Sequence, residues 1–193
     1  MHGLVNRSLQ CFLRDTYGAA VWTAVAEEAG IGSQGFEAML RYDDAITDTV
    51  LAVAARKLSK PQSALLEDLG MFLVSLEPLR RLMRFGGVDY VDFLHSLDEL
   101  PDRARLAVAE LDMPELTLQS LSEDRYELLC RANHPGFAPV FAGILRAMAD
   151  DYGALALIDL SDAVGQDQLI TIELLESQYA LGRRFDLARP GAA

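Results

Sequence analysis

The stretch Asp92-Phe93-Leu94-His95-Ser96-Leu97-Asp98-Glu99-Leu100-Pro101 has two kinds of content, a pattern and an interruption. Phe93, Leu94, Leu97 and Leu100 recur at helical spacing, so one stripe faces a core while Asp92, Asp98 and Glu99 face water. Pro101 has no backbone N–H, and its ring clashes with the preceding turn, so the pattern predicts a kink or a restart there.

Outward from this stretch the chain reads as two halves. Upstream, helices are expected over Leu4–Thr16, Ala20–Ala29 and Asp44–Leu58, with a short one over Phe36–Leu40. Leu4, Val5, Leu9, Phe12 and Leu13 lie on the inward face of the first, Trp22 centres the second, Ile46, Val50, Val53 and Ala54 lie on the inward face of the helix over Asp44–Leu58, and Gly30 stops the second helix. Pro61 suits the first turn of a helix carrying Leu65, Leu66, Leu69, Phe72, Leu73 and Leu76, and Pro78 bends or ends it. Gly86-Gly87 is a break. A helix is then expected from Val88 to about Glu110, interrupted at Pro101.

Downstream of Met113-Pro114 the period changes to two. Leu116 and Leu118 alternate with Thr117 and Gln119, and with Tyr126–Arg131 they predict a hairpin. Phe137 to Tyr152 reads as a helix. Ala154–Leu160 and Gln168–Leu175 read as two last strands. The order implies an α+β fold: a helical N-terminal lobe, then a lobe with a four-stranded antiparallel sheet and one packed helix. A single domain over residues 1–180 is expected, the helical lobe covering 1–60 and the helix-plus-sheet lobe 61–180, followed by a tail over 181–193 whose last stretch, Ala188–Ala193, is expected to be disordered.

Bulk properties narrow the function. The chain has 193 residues, 51% of them apolar, and a net charge of −12. That charge speaks against nucleic acid, whose phosphates reward Lys and Arg, and against anionic membranes. No apolar run is long enough to span a bilayer, and no secretory signal opens the chain, so the cytosol is the expected compartment. Cys11 and Cys130 are too few for a disulfide framework. The cysteines and histidines show no zinc-ligand spacing, so no metal site is expected. No GxSxG, HExxH, Walker or GxGxxG motif is present, so no catalytic residue is assigned.

The opening stretch resembles the ligand helix of the H-NOX family, the haem nitric oxide/oxygen binding domains. That family's pattern FL..LD.IH is matched by Phe93-Leu94, Leu97-Asp98 and Leu100. Other blocks match in order: Met1-His2-Gly3-Leu4, then Tyr17-Gly18 with Val21-Trp22 and Glu28-Ala29-Gly30, then Tyr42-Asp43-Asp44, then Leu69-Gly70 with Phe72-Leu73. Together they span roughly residues 1–175.

The resemblance implies a haem site, and the residues at its positions differ. Pro101 stands where the family has its iron-ligating histidine, and proline has no donor atom. The family's YxSxR anchor for the haem propionates falls on Cys130, Ala132 and His134. Arg offers a carboxylate a charged fork, Ala132 offers nothing, and Cys130 is a weak donor. The expectation is a non-enzymatic sensor or regulatory domain without family-type haem. It would act on a signalling kinase or cyclase, and its pocket would be collapsed or would take another apolar ligand. The alternative is a haem-based NO or O2 sensor with a different axial ligand, His95 first and His2 second. His95 lies six residues before Pro101, about 120° away around an unbroken helix. The plainer reading makes His95 and His2 ordinary surface or half-buried residues and His134 a loop residue.

Overall fold

The structure is a computed structural model that describes residues 1–32, 35–108 and 110–175. The helical core takes in α1 (Gly3–Tyr17), α2 (Ala19–Glu28) and α3 (Asp44–Leu58) and also, past the lobe boundary expected at residue 60, α4 (Gln62–Ser75). Asp43 caps α3, its Oδ1 accepting the Ala45 N–H at 3.0 Å, which satisfies one of the orphan donors of a helix start. Leu9, Phe12, Leu13, Trp22, Val25, Val50, Leu65 and Leu69 form the core of this lobe. Each large side chain so buried contributes about 1.5–3 kcal/mol.

The short helix expected over Phe36–Leu40 is absent; the segment is irregular with a turn at its end. Its backbone groups are taken by α1 instead. Phe36 N–H donates to Gln10 Oε1 at 2.9 Å, Phe36 O accepts from Arg7, and Leu40 O accepts the Gly3 N–H at 2.7 Å. A five-residue helix has too few internal bonds to compete with those partners.

The helix expected from Val88 to Glu110 is three pieces: α6 (Tyr90–His95), a single 3₁₀ turn at Leu97–Glu99, and α7 (Leu100–Ala107). They follow α5 (Glu77–Arg84), which opens with Pro78 in its first turn. The interruption falls at Ser96, five residues before Pro101. Pro101 has no N–H for the Leu97 carbonyl, so the turn ahead of it tightens and the proline opens α7 instead of kinking a longer helix. Arg103 closes the gap, its Nη2 donating to Ser96 O at 2.8 Å.

The second lobe holds β1 (Glu115–Ser120), β2 (Arg125–Arg131), β3 (Ala156–Leu160) and β4 (Asp167–Leu174), with α8 (Phe137–Tyr152) between β2 and β3. The sheet is antiparallel throughout, in the order β1-β2-β4-β3. Strand alternation sends Leu116, Tyr126, Leu128, Cys130, Ile158, Ile170 and Ile172 to the inner face, where Phe141, Ile144, Leu145 and Met148 of α8 cover them. Phe93, Leu94, Leu97 and Leu100 join this core, so the helical stripe of the opening stretch faces the sheet.

The lobes meet where α4 crosses α8. A Cβ on Gly70 would lie 2.1 Å from Val140 O, and one on Gly143 would lie 2.0 Å from Glu67 O. Only glycine on both helices permits that approach. Val140 packs against both cores.

Candidate functional site

The end of β2 and the loop that leads from it to α8 carry three of the singled-out positions. Cys130 is on the inner face of β2 and 1% exposed. Burial alone pushes its thiol up to about 12, so it is a protonated, inert group at neutral pH. Arg131 points the other way and pairs with Asp167, Nε to Oδ1 at 2.7 Å. Ala132 is half-buried, and its N–H donates to Gln166 O at 3.0 Å; its side chain has no polar atom.

His134 is 9% exposed and has two partners. Its Nδ1 accepts the Gly136 N–H at 3.0 Å, and its Nε2 lies 2.8 Å from Asp48 Oδ1 on α3. A backbone N–H can only donate, so Nδ1 presents its lone pair and Nε2 carries the proton given to Asp48. The loop that enters α8 is therefore fastened to the helical lobe by a side chain of each. Close by, the Met1 amine pairs with Asp44 and holds that carboxyl below the usual carboxylate range; His134 and Arg41 add to the same effect.

Pro101 is buried in the first turn of α7, and its neighbours Leu97 and Leu100 share a core with Cys130 and Ala138. His95, the last residue of α6, is exposed, its ring edge-on to Tyr126 at 6.0 Å between centroids. His2 is buried at 2% exposure and caps α1, its Nδ1 accepting the Leu4 N–H at 3.2 Å. The structure thus gathers Cys130, Ala132 and His134 on one strand and loop, buries Pro101 in the first turn of α7, and leaves His95 at the surface.

Sequence reasoning missed two buried polar residues of α1, Asn6 and Gln10, which continue at four-residue spacing from the cap residue His2. Asn6 Oδ1 accepts from Thr47 Oγ1 of α3 at 2.7 Å in the buried interior. The spacing was in the sequence, but the periodicity was read through apolar residues only. Asp48 carried no local signal, since its partner lies 86 residues away.

Among the described residues, no group of three or more His, Cys, Asp or Glu side chains is gathered to hold a metal ion. Nor is any helix among them long and apolar enough to cross a membrane. The donor set does not fit the haem site that the resemblance implies. Pro101 has no ligating atom, Cys130 is a protonated thiol, Ala132 is an alkyl group, and His134 is committed to Asp48.

The family model described as Haem-NO-binding matches residues 2–158. Soluble guanylate cyclase 89Db of Drosophila melanogaster is 21% identical over 158 residues, which are 80% of this chain and 24% of that protein. Soluble guanylate cyclase gcy-31 of Caenorhabditis elegans is 21% identical over 167 residues, 84% of this chain and 24% of that one. This chain thus matches about a quarter of the length of those relatives. Among solved structures, an Fe(II) unliganded H-NOX protein from K. algicida superposes with a TM-score of 0.79 at 14% identity, covering 93% of this chain and 99% of that one. An H-NOX protein from S. oneidensis in the Fe(II)NO ligation state gives 0.76 at 16% identity, covering 91% of this chain and 100% of that one. At such identities the superpositions establish the fold, and the family model establishes kinship: the chain belongs to the haem-NO-binding, or H-NOX, family of sensor domains, whose family cofactor is haem.

Proposed function

We propose that this chain is a non-enzymatic H-NOX regulatory domain that does not hold haem through the family's histidine ligand. It works in the cytosol on a protein partner of the kind its relatives suggest, a signalling kinase or a cyclase. The observation that carries this reading is Pro101, buried in the first turn of α7 where the family pattern calls for a ligating histidine. Supporting it, His134 stands at the family's arginine position and already holds Asp48, a carboxylate of this same chain. The ligand class suited to the surroundings is apolar, since Leu97, Leu100, Cys130 and Ala138 share one core. In the absence of such a ligand the same side chains fill the volume themselves, because cores tolerate voids poorly.

The second reading, haem held by His95 or His2, meets a specific obstacle at each residue. His95 is exposed at the end of α6. His2 uses Nδ1 to cap α1, so turning Nε2 into an iron ligand would move the proton to Nδ1 and remove the cap. A hemin titration followed by desalting separates the two readings. Ours predicts no retained one-to-one Soret band. A tight band that His2→Ala or His95→Ala abolishes would overturn it in favour of the second.

A further inference from the structure

Helix α8 opens without a cap from its own flanking residue, Gly136. The first donor at that end is met by a side chain two residues upstream: His134 Nδ1 accepts the Gly136 N–H, and Phe137 N–H reaches His134 O at 3.4 Å. The same ring reaches across to α3 through Nε2 and Asp48. It therefore belongs to both lobes at once. What faces it differs on the two sides. From α3 come Asp48 and, more distantly, Asp44, the latter tied to the Met1 amine and facing Arg41. From α8 comes the positive end of a 16-residue helix, and the Phe137 ring stands edge-on at 6.5 Å. On the α4 side Leu66 reaches the same turn, 3.4 Å from where a Cβ on Gly136 would lie.

We propose that His134 is a proton-operated latch between the lobes, whose protonation releases the first turn of α8 while tightening the hold on α3. In the neutral ring Nε2 already carries its hydrogen, so an added proton goes to Nδ1. That proton occupies the lone pair that receives the Gly136 N–H and sets one N–H against another. It also places a full positive charge at a helix N-terminus, which disfavours it. On the other side, the cation is drawn to the carboxylates of Asp48 and Asp44. Both effects move the ring the same way, off α8 and onto α3. The released turn carries Phe137 and Ala138, which pack into the sheet core, and it leads into the helix that crosses α4 at Gly70 and Gly143. Acid thus acts on the seam between the lobes through one side chain, whatever ligand or partner the domain serves.

The test is a titration of the uniformly 15N-labelled full chain by NMR from pH 8 to pH 5. It follows the His134 ring nitrogens and the Gly136 amide. The expected result at pH 8 is an unprotonated Nδ1 and a protonated Nε2. Through the His134 titration the Gly136 amide resonance should move with the ring, and its exchange protection should fall about tenfold relative to amides in the middle of α8. Asp48→Asn, at a side chain 64% exposed and so compatible with folding, should shift the His134 midpoint to lower pH, with Gly136 still following the ring. A ring protonated on Nδ1 at pH 8, a Gly136 amide indifferent to the titration, or an Asp48→Asn midpoint that stays or rises would each overturn the latch.

Discussion

Pro101 and Cys130 are both buried, one in the first turn of α7 and one on the inner face of β2, and their surroundings fix what each can do. That a proline stands at position 101 was legible in the sequence, and so was its lack of a donor atom. The restart there was one of the two outcomes a proline predicts, whereas the break already at Ser96 was not legible, because Arg103 of the following helix closes it. The missing N–H falls in a first turn, where no intrahelical partner was available to it. Pro101→Ala should therefore change stability by no more than about 1 kcal/mol in a urea melt, against roughly 3 kcal/mol for a proline in a helix interior. Cys130 makes a prediction in alkali. Its thiol is raised from an ordinary 9.0 to about 12 in the fold, so the folded state holds a proton that the unfolded chain gives up sooner. The stability tied to this is intact below pH 9 and is lost as pH rises from there toward 12, at up to about 1.4 kcal/mol per pH unit. Cys130→Ala should flatten that part of the stability–pH curve. If the slope stays as in the parent chain, the buried tyrosines carry it and the assignment to Cys130 is wrong.

The elements were read well wherever one face met one core. The helix over Asp44–Leu58 and the hairpin strands came out of simple period counting, because burial there follows the local pattern. The Phe36–Leu40 segment did not, since α1 decides its conformation by taking its backbone bonds. The crossing of α4 and α8 was equally invisible: Gly70 and Gly143 lie 73 positions apart and look like ordinary helix interruptions. Their reason is the 2.0–2.1 Å that a Cβ would leave to the facing carbonyls. Gly143→Ala should push the helices apart and cost about 1–3 kcal/mol in chemical denaturation, although alanine is the better helix former. An unchanged or increased stability would show that the crossing is not tight. Elsewhere in the sheet core, Leu128→Ala should cost about 2–5 kcal/mol, since Leu128 is fully buried between β1, β4 and α8.

At the scale of the whole molecule, two cores joined at one crossing explain what the sequence reached and what it missed. Strand–strand–helix–strand–strand was readable in order, and with it the α+β class. The placing of β4 between β2 and β3 was not, because hydrophobic alternation says which face is inward and nothing about which strand lies alongside. The site divides the same way. Pro101, Cys130, Ala132 and His134 were singled out through the family pattern, while Asp48 became visible only when α3 and the loop before α8 were brought together. The central claim is that this H-NOX chain has given up the family's grip on haem iron. The most direct check is the haem-to-protein ratio of the chain purified from a host well supplied with haem, measured as the pyridine haemochrome after free haem is removed. The account predicts a ratio near zero; a ratio near one, with a Soret band that survives the removal step, would contradict it.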